Sequence, residues 1–448
     1  MNIKGKNITI LGAERSGIAA AKLAKVNGAN PFVSDLANND SVKSNCNELE
    51  KLNIDYEIGG HTKKVYDCDL LVTSPGIPTN AEVLQNAIAK RIKVISEIEF
   101  ASWFCEGKII AITGTNGKTT TTTLITHIIN NGNRKCYTAG NIGLPFSEIT
   151  MNVKPDEFVA LEVSSFQLDF IDEFQPDMAV ILNITPDHLD RYENRFDLYI
   201  KSKMRIAENQ NADNIFIYNG DDPNLPIGLV PDGVKLFPFS IDKGLRNGSF
   251  VDEDIIVFNE NYETTEICNI DCLALKGEHN LQNSLATINV AMNIGIDVDS
   301  IKDSLNNFKG VEHRLEFVRE INGINFINDS KATNVDAVWY AIRSFNKPIF
   351  LILGGKDKGN DYSKIKDEVK KRVKKIYAIG SSAEKVYKYF KNITDVEIVE
   401  TFKEVMDKGL AEASAGEYVL LSPACASFDM FKNYEDRGQQ FKNIVNKL

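Results

Sequence analysis

Tryptophan is nearly missing from this chain, at two residues in 448, and histidine is scarce, at five. Positive charge is in deficit: 51 Lys and Arg against 62 Asp and Glu leave a net charge of −11. That balance argues against a nucleic-acid binder, which usually carries a basic face. Small anionic substrates stay open, because a few local cations and backbone N–H groups hold them. The seven cysteines (Cys46, Cys68, Cys105, Cys136, Cys268, Cys272 and Cys425) are scattered and odd in number. No disulfide framework is therefore expected, and a reducing compartment fits. Cys268 and Cys272 are the only close pair, and no second pair completes a zinc pattern. No apolar run approaches the roughly 18 residues of a membrane span. The start, MNIKGKNITILG, runs into a strand with no signal-peptide pattern. The expectation is a cytoplasmic protein with no membrane span and no nucleic-acid partner.

What is present is ordinary globular material, with 43% hydrophobic and 25% charged residues, long enough for about three domains. Short apolar runs alternate with helical patterns. ITILG at 8–12, PFVSD at 31–35, LLVTSPGIP at 70–78 and KVISEIEF at 93–100 form one series. KIIAITG, EFVALEVSS and DMAVILNIT form a second, while residues 215–275 read as short strands and polar turns without helix. PIFLILGG, KIYAIG and EYVLLSPA form a third. β-α-β alternation means largely parallel sheets covered by helices. The predicted fold is α/β in three domains: a Rossmann-like domain over 1–97, a central P-loop ATPase-like domain with extra strands over 98–308, and a second Rossmann-like domain over 309–448.

The first series carries GAERSG (12–17) between a strand and a helix, with Asp35 ending the next strand. This approaches the dinucleotide fingerprint. However, Glu14 stands where the middle glycine belongs and would repel a pyrophosphate. A phosphate on the N–H groups of Ser16 and Gly17 and a plain tight turn both remain open.

TGTNGKTT (113–120) lies between a strand and a helical run. Gly114 and Gly117 permit sharp turns, Lys118 supplies a charge for β/γ phosphates, and Thr119 supplies a hydroxyl for Mg²⁺. Ile112 occupies the first glycine position of the strict pattern. Glu162 ends an apolar run where the next strand of such a sheet would end, and a buried carboxylate there needs a partner such as a metal. His188 follows another strand on the same edge, as a ligand or as a structural histidine. In the amphipathic run 194–209, Lys203 falls on the stripe of Phe196, Tyr199, Ile206 and Ala207, with Lys201 on the polar side. A lysine there either snorkels to water or is buried with a depressed pKa. A neutral amine reacts with CO₂ to give a carbamate, which can help bind a cation. In the third series, strand ends carry Arg314, Asp329, Lys331, Thr333, Lys358, Ser427 and Tyr434, polarity that fits ligand binding at the C-terminal edge of a sheet.

TGTNGKTT, LEVSSFQL, DHLDRY, GEHNLQN, HRLE, NDSKATN and LLSPACASFDMFKN together resemble the Mur ligases of peptidoglycan synthesis, in order and over essentially the whole chain. NDSKATN and SPACASFD resemble the D-glutamate-adding branch. The resemblance implies ATP-dependent joining of D-glutamate to UDP-N-acetylmuramoyl-L-alanine through an acyl phosphate, by a monomer using two Mg²⁺ ions and a carbamylated Lys203. It implies ATP at Gly114, Thr115, Asn116, Gly117, Lys118, Thr119 and Thr120, with Asn280, Asn283, Arg314 and Asp329. It places the UDP-sugar on Arg15, Ser16, Gly17, Asp35 and Gly76, with Asn141 and Ser164 at the muramoyl-alanine part. D-Glutamate falls to Thr333, Lys358, Ser427, Phe428 and Tyr434. The metals fall to Thr119, Glu162, His188 and Lys203, and the chemistry to Lys118, His188, Lys203 and Lys331. Three alternatives remain: a folylpolyglutamate synthase, which would begin close to the phosphate loop, a different Mur ligase, and an NAD-binding regulatory protein with a decayed ATPase, which Glu14 disfavours.

Overall fold

The computed structural model describes residues 2–357 and 359–448. Its first sheet is β1 (Asn7–Leu11), β2 (Asn30–Asp35), β3 (Asp55–Ile58), β4 (Leu70–Thr73) and β5 (Lys93–Ser96), all parallel in the order β3-β2-β1-β4-β5. β1, β2 and β4 are buried almost throughout, which is why they read as continuous apolar runs rather than alternating ones.

The second sheet begins with β6 (Lys108–Thr113), β7 (Cys136–Gly140), β8 (Phe158–Glu162) and β9 (Met178–Ile181). It continues through β10 (Ile215–Asn219), β11 (Lys235–Ser240), β12 (Gly248–Asp252), β13 (Ile255–Glu260) and β14 (Glu263–Asn269), in the order β14-β13-β12-β11-β10-β9-β6-β8-β7. The stretch read as strands and turns is thus an extension of this sheet, with short 3-10 turns at Ile227–Leu229 and Ile270–Cys272, and β12, β13 and β14 meander antiparallel. The third sheet holds β15 (Glu316–Ile321), β16 (Ile324–Asn328), β17 (Ile349–Leu353), β18 (Val373–Ala378), β19 (Asp395–Ile398) and β20 (Tyr418–Leu421), ordered β15-β16-β20-β17-β18-β19. Only β15 runs antiparallel to its neighbour.

The chain divides into two compact units, Met1–Ala274 with Asn280–Phe308, and Leu275–His279 with Lys309–Leu448. The first unit holds two sheets because one apolar cluster runs through both, from Ile8 and Val33 across Ile98 and Phe100 to Phe146 and Val163. The buried Glu99 carboxylate pins that junction, accepting from Trp103 Nε1 at 2.8 Å and from the N–H groups of Asp172, Glu173 and Phe174 at 2.9, 3.1 and 2.8 Å. Cys268 and Cys272 are joined as a disulfide, a local departure from the expectation of unlinked cysteines, while the other five are free. Four residues of separation made this a pair that spacing alone did not distinguish from two free thiols. Among the described residues, no helix is long and apolar enough to cross a membrane.

Candidate active site

β6 ends at Thr113, and residues 114–117 turn the chain into the helix Lys118–Asn131. Gly114 and Gly117 take φ of 153° and 86°. Gly117 is doubly required: its backbone is left-handed, and a Cβ there would lie 2.4 Å from Asn283 Oδ1. Because Gly117 caps the helix, the N–H groups of the first turn face the loop and make an anion site.

The loop is held before any ligand arrives. Asn116 N–H donates to Asn183 Oδ1 at 2.8 Å, and the Asn183 amide donates back to Asn116 O at 3.1 Å. Thr115 Oγ1 donates to Thr185 O and accepts from Thr185 N–H, both at 3.0 Å, and lies 3.3 Å from the Tyr199 hydroxyl. Lys118 Nζ donates to the carbonyls of Gly114 and Thr115 at 2.8 Å.

Lys203 sits on the buried side of the helix Phe196–Met204, at 2% exposure, with Lys201 outside. Its Nζ donates to the same Gly114 carbonyl at 2.9 Å and lies 4.7 Å over the Tyr199 ring. Burial, and then the nearby Lys118 ammonium, hold its pKa well below the ordinary lysine value, against the pull of Asp187, Asp169 and Glu162. The snorkelling alternative is therefore excluded.

Glu162 ends β8 beside β6, paired in register with Ile112. It is 1% exposed. Its Oε1 accepts from Asn141 Nδ2 at 2.9 Å, and its Oε2 is buried with no partner among the described residues. Thr113 Oγ1, Asn116 Nδ2 and Thr185 Oγ1 are buried and unpartnered in the same way. An orphaned carboxylate oxygen is costly unless a cation or water meets it. With the buried Thr119 on the adjoining helix, the donors are oxygen atoms of the kind Mg²⁺ prefers. His188 lies on the same sheet edge, left-handed at φ 51°, with Nε2 3.7 Å from Asp187 Oδ2 and its ring edge-on to Phe166. Asn280 and Asn283 are buried on the helix Glu278–Asn293, and Asn283 lies against Gly117.

In the first sheet, Gly12 turns at φ 97°, and a Cβ on Gly17 would meet Gly12 O at 1.8 Å. The turn is therefore obligatory whatever it binds. Asp35 caps it, accepting from Ala13 N–H at 2.6 Å and Ala37 N–H at 2.7 Å. Arg15 Nη2 donates to Gly143 O at 2.8 Å. Ser16 is half-buried at the start of the helix Arg15–Val26. Gly76 O accepts from Arg191 at 3.3 Å, and Ser164 caps the helix after β8 in a reciprocal box with Gln167.

In the second unit, Asp329 is buried at the end of β16, accepting from Ser422 Oγ at 2.7 Å and Leu315 N–H at 3.2 Å. Burial raises its pKa to about 7, against the opposing Arg314 charge and these hydrogen bonds. Arg314 Nε is buried without a partner among the described residues. Arg437 holds the same edge together, donating to Ser330 Oγ, Ser330 O and Cys425 O at 2.9, 2.7 and 3.0 Å. Lys331 Nζ lies 5.5 Å over the Tyr434 ring. Ser427 is buried, Thr333 is half-buried and Phe428 is 66% exposed. Lys358 lies outside the described residues.

Sequence reasoning missed Asn183, Thr185, Tyr199 and Arg437 as supports. Asn183 and Thr185 stand directly after β9, a position as informative as that of His188. Tyr199 was placed on the stripe only as an apolar residue, and its hydroxyl was the overlooked signal.

The MurD N-terminal domain family matches residues 8–83, the Mur ligase middle domain 112–291, and the Mur ligase glutamate ligase domain 313–425. The UDP-N-acetylmuramoylalanine–D-glutamate ligase of Salinibacter ruber is 42% identical over 100% of this chain and 99% of its own. Its namesake from Bacteroides fragilis is 44% identical over 99% and 100%. Among solved structures, the UDP-N-acetylmuramate-alanine ligase of Thermotoga maritima superposes with a TM-score of 0.61 at 19% identity, covering 99% of both chains. That likeness speaks to the fold alone. By the full-length identity to curated relatives, this chain belongs to the Mur ligase family, in the branch of the UDP-N-acetylmuramoylalanine–D-glutamate ligases.

Proposed function

We propose that this ligase joins D-glutamate to UDP-N-acetylmuramoyl-L-alanine with ATP, forming ADP and phosphate, as a cytoplasmic monomer of three domains bounded at 97/98 and 308/309. The observation that carries the reading is the convergence of Lys118 and the fully buried Lys203 on the Gly114 carbonyl, beside a carboxylate with one oxygen unpartnered. Residues 114–120 hold the ATP phosphates, with Asn280, Asn283, Arg314 and Asp329 completing nucleotide binding. Arg15, Ser16, Gly17, Asp35 and Gly76 take the UDP-sugar, and Asn141 and Ser164 its muramoyl-alanine end. Thr333, Lys358, Ser427, Phe428 and Tyr434 take D-glutamate, with Phe428 engaged through its backbone.

An amide cannot form from a free carboxylate and an amine without activation. The alanyl carboxylate attacks the γ-phosphorus, and ADP leaves. The D-glutamate nitrogen then attacks the acyl carbon and loses a proton, and phosphate departs. No protein nucleophile is required, so the residues position groups and neutralise charge. Lys118 and Arg314 balance charge on the transferring phosphoryl group, and Lys331 supports the acyl phosphate. Thr119 and Glu162 would hold one Mg²⁺, and His188 and a carbamate on Lys203 a second, supplying further neutralisation when bound. A depressed lysine pKa supports the carbamate, because CO₂ adds to a neutral amine.

Phosphate release from ATP with UDP-N-acetylmuramoyl-L-alanine, compared across D-glutamate, L-glutamate and L-lysine, is the test. Release is expected only with D-glutamate. Its absence there defeats the assignment.

A further inference from the structure

Asn141 stands in the turn after β7, where Gly140 pairs in register with Glu162. It grips that glutamate twice. Its backbone N–H donates to Glu162 O at 2.9 Å, and its side-chain Nδ2 donates to Glu162 Oε1 at 2.9 Å. The amide presents its nitrogen, not its oxygen, to Glu162. The effect is to commit one carboxylate oxygen to the protein and leave Oε2 buried and unpartnered.

The turn that carries Asn141 is stiff. Gly140 N–H donates to Leu144 O at 2.9 Å. Gly140 is left-handed at φ 101°, and a Cβ there would meet Glu162 O at 2.3 Å. At its far side, Gly143 O accepts from Arg15 Nη2 at 2.8 Å. One short turn is therefore held by the GAERSG segment on one side and holds the Glu162 carboxylate on the other.

We infer that Asn141 is a positioning residue for the cation: its amide fixes the Glu162 carboxylate so that the unpartnered oxygen meets a divalent ion at the phosphate loop. The inference rests on the proposed nucleotide–metal reading of that loop. The physical reason is that the terminal torsion of a glutamate is broad and two-fold, so an unanchored carboxylate spreads over many orientations. A charge-assisted hydrogen bond selects one of them. Partners of this kind behind a metal ligand are worth about 10–100-fold in metal affinity.

The test needs no turnover. Mn²⁺ is titrated into the full chain with ADP present and followed by electron paramagnetic resonance, for the unaltered protein, Asn141→Ala and Asn141→Ser. ADP affinity without metal is measured in parallel as the gauge of an intact loop. The expected result is a rise of about 10–100-fold in the Mn²⁺ dissociation constant in both variants, with metal-free ADP affinity within about twofold. Unchanged Mn²⁺ binding overturns the inference. So does an equal loss of metal-free ADP affinity, which would make Asn141 a support of the whole loop. Absence of Mn²⁺ binding by the unaltered chain overturns it together with the metal reading. Missing D-glutamate-dependent phosphate release, with the Mn²⁺ shift present, would instead defeat only the acceptor assignment.

Discussion

Lys203 is a base whose proton affinity falls on folding. Burial and the Lys118 charge depress its folded pKa, so between that value and the unfolded value of about 10.4 the unfolded state binds more protons. Stability therefore rises with pH across that window. Lys203→Met should erase this slope and raise Tm near pH 7, measured by thermal melts at several pH values. Activity should fall at the same time by about 10–100-fold or more. If a carbamate is the working form, short carboxylates such as acetate should restore part of the activity of Lys203→Ala, and undiminished activity of that variant would sink the idea. Asp329 has the opposite sign. Its folded pKa is raised to about 7, so the stability it contributes is fully present below the unfolded value of about 3.9 and is lost as pH rises through 7. The Tm difference between Asp329→Asn and the unaltered chain should widen in favour of the variant from pH 5 to pH 8. A constant difference would refute the buried-carboxyl account.

At the scale of elements, the phosphate loop depends on backbone shape more than on side chains. Gly117→Ala places a Cβ at φ 86° and 2.4 Å from Asn283 Oδ1. The left-handed conformation alone costs roughly 1–2 kcal/mol, and the collision adds to it. Nucleotide affinity should drop by at least about tenfold, since 1.4 kcal/mol is a factor of ten, while circular dichroism stays unchanged. An unaltered ADP affinity would show the loop to be more pliable than drawn. This loop was legible in the sequence because glycine spacing between a strand and a helix states a backbone geometry. The Lys203 stripe was legible because helical spacing of 3 and 4 places a residue on a face. The unpartnered oxygen of Glu162 was not legible, nor was the Thr115–Thr185–Tyr199 contact. Both depend on which side chains meet across neighbouring elements, and no local pattern encodes that. That the Asp35 carboxylate accepts from the Ala13 and Ala37 N–H groups and so caps the turn was not legible either. An aspartate at the end of a strand reads the same in sequence whether or not the neighbouring N–H groups face it.

At the scale of the whole molecule, four apolar clusters each stay within one unit. Those around Ile8 and Leu71 contain only residues of the first, and those around Leu351 and Phe350 only residues of the second. Separate cores imply separate melting, because cooperativity follows shared burial. Glu99 belongs to the first unit alone and joins the end of its first sheet to the chain at 172–174 through N–H groups that face a single carboxylate. Glu99→Ala leaves those donors and Trp103 Nε1 without their acceptor, at about 1–3 kcal/mol for each that fails to find water, the buried Phe174 N–H foremost. Calorimetry of the full chain should show two transitions. The one belonging to the first unit, residues 1–274 with 280–308, should fall by roughly 5–15 °C in the variant, and the other should hold its position. Hydrogen exchange would assign the transitions, since protection lost near Phe174 must accompany the lower one. A common shift of both transitions would mean that the two cores unfold as one, and that the stability of the loop at 114–117 is not set by its own unit.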